Sequence, residues 1–436
     1  MSPRKTLALS LAHSLLAGPW LYAEQRARAI ELLGGEPPWL RGVLVACRRR
    51  FGARPPIGEP STLAGYLLGL PSFTRGVGDG TAHAHVVHPT LQAGVCSPPT
   101  GDWTAADFPE LATVGELARW AELEPRALLW MAEPWRQRST DGTPRALYTH
   151  RWIAKAHGGA RLLEVPRPRL RRLQRRILDE LLSGLPMHPA AHGFVPGRGV
   201  GTFAEVHAGR AAVLALDLHA FFASISRARV FRVFRAVGYP EQVARLLAGL
   251  CTHAVSRAVV RAAPGAADPR YGAPHLPQGA PTSPMLANLC ALGLDVRLQA
   301  LARVAGVTYA RYADDLAFSG DAPFARAARR FTSVVARIAR EEGFALNHRK
   351  TRLMRASQRQ VLTGVVVNHR PTVSRAEIER LEATLFNCVR HGPAGENRAG
   401  HPDFHAHLLG RIGWVHQLRP GRAIRLRALF AQIRWT

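Results

Sequence analysis

The stretch "TYARYADDLAFSG", Thr308 to Gly320, sets two carboxylates side by side, Asp314 and Asp315, between apolar flanks. Neighbouring carboxylates repel and raise each other's pKa unless a cation neutralises them, so such a pair invites a divalent metal. Successive side chains on a strand point to opposite faces, so both acids serve one centre best from a tight turn between two strands. The flanks supply those strands: Val307, Tyr309 and Arg311 alternate into the pair, and Leu316 and Phe318 alternate out of it. A plain surface turn with Asp at its tip gives the same local pattern.

A third acid separates the two readings. "AVLALDLHAFFASIS" reads as a buried strand of Val213, Leu214 and Leu216 that ends at Asp217, with Phe221 and Phe222 just beyond. An acid there is costly to bury unless it is neutralised. Together Asp217, Asp314 and Asp315 can hold two Mg2+ ions about 4 Å apart, the arrangement that activates a 3′ hydroxyl and stabilises a pyrophosphate leaving group. This is phosphoryl transfer of the polymerase kind.

The remainder of the chain must position those acids. Its 436 residues, 47% of them apolar, exceed what one core usually holds, so two or three packed units are expected. A formal charge of +27, from 58 Lys and Arg against 31 Asp and Glu, favours a polyanionic partner, nucleic acid first. The base used is almost always Arg; only Lys5, Lys155 and Lys350 are lysines. Five scattered cysteines without CxxC spacing suggest neither a disulfide framework nor a thiolate zinc site, and a reducing cytoplasm suits them. The opening "MSPRKTLALSLAHSLLAGPW" reads as an amphipathic first helix rather than a signal peptide, because His13 and several Ser interrupt its apolar run. No run of 18 apolar residues predicts a membrane span.

Helix-period spacing runs from residue 5 to about 70, as in "LYAEQRARAIELLGG", where Leu21, Ala27, Ile30 and Leu33 can share a face. From about 73 to 110 Gly, Pro, Thr and His suggest a long loop. Inside it His83, His85 and His88, with Cys96 downstream, have metal-ligand types, but no second cluster completes a tetrahedron, and a solvated His-rich loop is the plainer reading. Thr113 to Glu133 reads as two short helices joined near Glu122 to Pro125. "YTHRWIAKAHGGARLLEVP" is a β-hairpin turning at Gly158 and Gly159 and carrying Arg151, Lys155 and Arg161. A basic helix follows, its apolar face Leu170, Leu173, Ile177 and Leu181.

Taken in order, these segments resemble a bacterial reverse transcriptase of the retron type, from about Arg161 to Trp435. "HGFVPGRGVGTFAEVH" resembles the fingers segment before the first catalytic strand, and "LDLHAFF" the catalytic Asp motif, carried to Asp217. "LPQGAPTSPMLANL" resembles the dNTP-binding motif, with Gln278 and Gly279 beside the nucleotide, and "YADD" the signature turn, carried to Asp314 and Asp315. "EEGFALNHRKTRLM" resembles the segment whose lysine, here Lys350, faces the triphosphate, and "QVLTGVVVN" the primer-gripping hairpin, here with Thr363 and Gly364. The chain departs from the family in placing Phe203 where Asn is usual before Ala204 and His207, and Leu362 where Val is usual.

The resemblance implies an α+β right-hand polymerase: a helical N-terminal extension and linker over 1–110, a helical hairpin over 111–144, fingers over 145–210, palm over 211–370 and thumb over 371–436. It implies RNA-directed DNA synthesis with two Mg2+ ions, Mn2+ being able to substitute, held by Asp217, Asp314 and Asp315 with Leu218 beside them. Phe222 would lie under the sugar and exclude a ribose 2′-OH, and Arg198 and Lys350 would meet the triphosphate. Arg411, Arg419, Arg422, Arg425 and Arg427 would grip a primer-template duplex through its phosphates. The implied partners are dNTPs, a structured non-coding RNA with its DNA product and an effector protein, with no membrane, in the cytoplasm and in antiviral defence. Two other readings fit the motifs: a reverse transcriptase of another bacterial lineage, such as a group II intron or a defence polymerase, and a non-catalytic RNA-binding scaffold on the same fold.

Overall fold

The structure, a computed structural model, describes residues 3–16, 20–33, 35–52, 60–77, 96, 108–132, 146–154 and 160–435. His83, His85, His88 and the turn of the hairpin with Lys155, Gly158 and Gly159 lie outside them. The chain divides into two units, Met1–Cys96 and Ser97–Thr436.

The first unit is helical: Pro3–Leu16, Tyr22–Leu33, Leu40–Phe51, Pro60–Leu68 and Pro71–Val77. Leu7, Leu11 and Leu15, at the i, i+4, i+8 spacing of one helix face, pack with Leu40, Leu44, Leu63, Leu67 and Phe73. The expected face of the second helix is corrected. Leu21 is 58% exposed and Ala27 is exposed, while Gln25, Arg28, Ala29 and Leu32 are buried. Arg28 goes inward because its guanidinium donates to the carbonyls of Ser14 and Leu15, satisfying groups that the first helix leaves unpaired at its C-terminus.

In the second unit a short helical pair, Val114–Trp120 and Pro125–Ala132, leads to a hairpin of β1 (Tyr148–Ala154) and β2 (Ala160–Pro166). Thr113 and Glu116 close a capping box at the start of the pair. The basic helix begins at Pro168 and ends in a π-helical segment, Ile177–Leu182; its predicted apolar face is buried.

A four-stranded antiparallel sheet forms the centre, in the order β4 (Thr308–Tyr312), β5 (Asp315–Gly320), β3 (Ala212–Asp217), β6 (Arg352–Arg355). All six residues of β3 are buried, which explains its unbroken apolar run: it is interior and covered on both faces. Val213 and Ala215 meet Phe203, Leu362 and Val365 on one face. The helix Ala322–Glu341 packs on the other, where Phe331 stands edge-on to Phe318 at 4.9 Å. Phe203, at the position where the resembling family carries Asn, is fully buried in this layer against His207.

β7 (Val361–Leu362) and β8 (Val365–Val366) are joined by Thr363 and Gly364, both at positive φ (46° and 87°), as a two-residue type I′ hairpin requires. Three helices, Arg375–His391, Phe404–Leu418 and Pro420–Ala431, close around Leu381, Leu385, Leu408, Ile412 and Leu426.

His207 ties this core together, its Nδ1 2.7 Å from Ser319 Oγ on β5. Burial, then the nearby His192 and Arg210, push its pKa from 6.5 down to about 3. As pH falls below 6.5 the unfolded chain therefore gains a proton that native His207 refuses, so stability is full above that pH and declines towards about 3. Denaturant midpoints at pH 7.5 and 5.0 should fall further for the parent than for His207→Gln. Equal falls would rule His207 out as a source of acid sensitivity.

Candidate active site

The strand register sets the geometry of the acids. Asp217, the last residue of β3, stands opposite Asp315, the first of β5, so their side chains are cross-strand neighbours. Tyr312 also pairs with Asp315, which leaves Ala313 and Asp314 as a two-residue turn. Ala313 is held at φ 54°, a conformation that costs a non-glycine residue about 1 kcal/mol or more. The Leu218 N–H donates to the Asp314 carbonyl at 2.8 Å, tying the turn to the chain leaving β3. The Asn347 N–H donates to the Asp217 carbonyl at 2.8 Å and brings in the 3-10 turn His348–Lys350. From there Lys350 Nζ reaches Asp217 Oδ1 at 2.6 Å.

A buried polar cluster fixes the turn from behind. Arg311 of β4 is fully buried; its Nε and Nη2 donate to both oxygens of buried Asp295, at 2.8 and 2.6 Å, and its Nη1 to Asn288 Oδ1 at 3.0 Å and the Ala313 carbonyl at 3.1 Å. Tyr309 adds its hydroxyl to Asp295 at 2.8 Å. Asn288 Nδ2 donates to the Gly193 carbonyl at 2.8 Å. A Cβ on Gly193 would stand 2.6 Å from the Ala313 nitrogen, so this loop lies against the turn only because residue 193 is glycine. No motif marks this cluster in the sequence. Its signal was an Arg inside an apolar strand, which needs a buried carboxylate, and Asp295 inside the apolar helix Leu292–Val304.

Burial, then Asp314, then Asp217 raise the pKa of Asp315 from 3.8 to about 6, against the lowering influence of Lys350 and Arg352. Burial and then Asp217 likewise raise Asp314. Three carboxylates at one end of the sheet, two of them reluctant to ionise and the third holding an ammonium group, form a donor set in need of cations. Hard oxygen donors of this kind fit Mg2+.

A cavity of about 320 Å³ is lined by Arg161, Leu163, Phe194, Phe222, Gln278, Gly279, Ala280, Ser283 and Pro284. Phe222 comes from the segment leaving β3, and Gln278 and Gly279 from the loop before the helix Ser283–Cys290. Gly279 sits at φ 128°, and a Cβ there would come within 2.9 Å of the Glu164 carbonyl on β2. Phe194 belongs to the set that sequence reading missed. Arg198 is not brought to the cavity: its Nη1 donates to the carbonyls of Pro189 and Ala191 at 2.7 and 2.8 Å, and the cation lining the cavity is Arg161. Thr363 and Gly364 form the β7–β8 turn. Arg422 is exposed and Arg411 half-buried, whereas Arg425 pairs with Glu382 at 2.9 Å across the C-terminal helices.

The family described as "Reverse transcriptase (RNA-dependent DNA polymerase)" matches residues 153–367. The retron Mx65 reverse transcriptase of Myxococcus xanthus is 45% identical over 274 residues, 63% of this chain and 62% of that protein, so the match spans just under two thirds of its length. The retron Mx162 reverse transcriptase of the same organism is 35% identical over 344 residues, 74% of this chain and 67% of that protein. A solved foamy viral protease-reverse transcriptase in complex with ds DNA aligns at a TM-score of 0.35 and 13% identity, covering 66% of this chain and 41% of that one, a likeness too slight to argue from.

Proposed function

The chain belongs to the retron-type reverse transcriptases, and from that premise we propose that it is an RNA-directed DNA polymerase extending a primer with dNTPs at Asp217, Asp314 and Asp315. The observation that carries the reading is the cross-strand pairing of Asp217 with Asp315, with Asp314 in the adjoining turn. Two Mg2+ ions, or Mn2+ in their place, held by these acids beside Leu218 would activate the primer 3′ hydroxyl and neutralise the departing pyrophosphate.

The protein's own groups supply the positioning. Lys350, with its side chain 58% exposed, has room to leave Asp217 and turn to the triphosphate. Arg161 brings a positive charge to the cavity from β2, the part we assign to Arg198 at sequence level. Gln278 and Gly279 offer an edge for the incoming nucleotide, and Phe222 a floor for its sugar. Thr363 and Gly364 form the tip of a hairpin suited to the primer strand. Arg411, Arg422 and Arg425 contact duplex phosphates, Arg425 by exchanging Glu382 for phosphate. In these terms residues 145–210 act as fingers, 211–370 as palm and 371–436 as thumb.

We assign the template to a structured non-coding RNA and the product to RNA-linked single-stranded DNA, made in the cytoplasm in antiviral defence beside an effector protein. Among the described residues no single helix is long and apolar enough to cross a membrane. Purified protein given primed RNA, dNTPs and Mg2+ should synthesise DNA, and sequencing of the nucleic acid that copurifies from cells should return one short DNA joined to RNA. No extension overturns the polymerase reading, and heterogeneous or unlinked DNA overturns the retron one.

The floor position carries its own prediction. Phe222→Ala should raise ribonucleotide use relative to deoxynucleotide use by roughly 10- to 100-fold in kcat/KM, the range in which a single steric contact discriminates. An unchanged ratio would remove Phe222 from sugar selection.

A further inference from the structure

Away from the carboxylates of the central sheet, four segments bring a different donor set together. His150 of β1 stands opposite Glu164 of β2 in the strand register. His253 lies just past the helix Glu241–Cys251, and its backbone exchanges both hydrogen bonds with His275, three residues before Gln278. One ligand atom from each of His150, Glu164 and His253 lies within 4.8 Å of the others, and among the described residues these form the metal-ligand group that closes to that distance. The two imidazoles meet Nε2 to Nε2 at 3.0 Å.

We propose that His150, Glu164 and His253 bind a transition metal ion of the zinc class, and that this ion fastens the β1–β2 hairpin to the segment after the helix Glu241–Cys251, whose backbone pairs with the loop leading to Gln278 and Gly279. Glu164 is fully buried and its Oε1 has no hydrogen-bond partner. A buried carboxylate oxygen left bare in this way is destabilising, and a cation between the carboxylate and the two imidazoles removes that penalty. Its other oxygen, Oε2, lies 3.0 Å from His275 Nε2, whose ring is held in turn by the Ala273 carbonyl at 2.7 Å. That is an outer layer which orients the carboxylate. Two imidazole nitrogens and one carboxylate oxygen suit zinc better than Mg2+ or Ca2+, which prefer oxygen alone. Tetrahedral ligands at 2.0–2.1 Å from zinc stand roughly 3.3 Å apart, so small ring rotations turn the observed nitrogen pair into a ligand pair. The link to the cavity is short: the Glu164 N–H donates to the Gln278 carbonyl at 2.8 Å, and Arg161 and Leu163 of the same strand line the cavity.

The test uses the full-length chain, stripped with chelator and titrated with Co2+ alone, read by visible absorption and thermal melting. The expected result is one ion per chain with the absorption band of tetrahedral cobalt, a raised melting temperature, and displacement by Zn2+. His150→Ala/His253→Ala should lose the band and the thermal rise. Asp217→Asn/Asp315→Asn, and His83→Ala/His85→Ala/His88→Ala, should keep both. His150→Gln/His253→Gln preserves more of the side-chain volume; with a metal-free melting temperature near the parent's and no band, it separates ligation from packing. Absence of the band in the parent, its survival in both His150/His253 variants, or its loss on removing His83, His85 and His88 overturns the proposal.

Discussion

Asp315→Asn is expected to abolish DNA synthesis while leaving the metal-free protein as stable as the parent, or more so, at pH 7.5. The two effects part because the role proposed for Asp315 runs against its own preference. Burial and the neighbouring Asp314 and Asp217 lift its pKa from 3.8 to about 6. A carboxyl whose folded pKa is raised favours the native state at low pH; that advantage fades as pH rises from 3.8 and is gone above about 6, where the native state must hold an unwanted charge. Asn keeps the shape and removes the charge. Loss of one metal-holding carboxylate should lower the rate of primer extension by roughly 10³-fold or more, the scale of removing a principal electrostatic stabiliser in phosphoryl transfer. Primer extension and thermal melting in chelator, on the same preparation, check both halves. Activity within tenfold of the parent, or a large drop in melting temperature, would contradict the assignment.

Arg311→Leu should destabilise the protein by about 3–5 kcal/mol, because it strands Asp295 as an unpaired charge in the interior. Both partners are fully buried, and Asp295 takes its charge-assisted bonds from Arg311 with a further bond from Tyr309. Arg311→Leu/Asp295→Leu should recover much of that loss, since an apolar pair of similar bulk often replaces a buried ion pair at little cost. DNA synthesis should not recover with it. Arg311 is a positioning residue: its Nη1 holds the Ala313 carbonyl and Asn288, and through them the turn that carries Asp314. Denaturant unfolding measures the stability half, and kcat against KM for dNTP the other, with the fall expected in kcat. A double variant that is both stable and fully active would show that the cluster serves folding alone.

Much of the site was legible in the sequence because its information is local. The alternation of "TYARYADDLAFSG" marks two strands and a turn whatever surrounds them, and the apolar run before Asp217 marks an interior strand. The basic helix after Pro168 showed its buried face through spacing alone. The helix Tyr22–Leu33 did not: its buried face contains Gln25 and Arg28, and Arg28 turns inward only because the end of another helix offers it carbonyls. Arg198 and Arg161 show the same limit, since a cation's position in the chain does not say whether backbone carbonyls will claim it.

The sequence by itself determined that three acids terminate or join strands in a strongly basic polymerase-like chain, because turn chemistry and apolar strand runs are written within a few residues. Only the tertiary structure decided that Asp315 stands opposite Asp217, that Arg311 braces their turn, and that His150 meets His253 at a separation of 103 residues. Those relations depend on strand register and on where buried polar groups find partners, and both are settled when distant segments pack together.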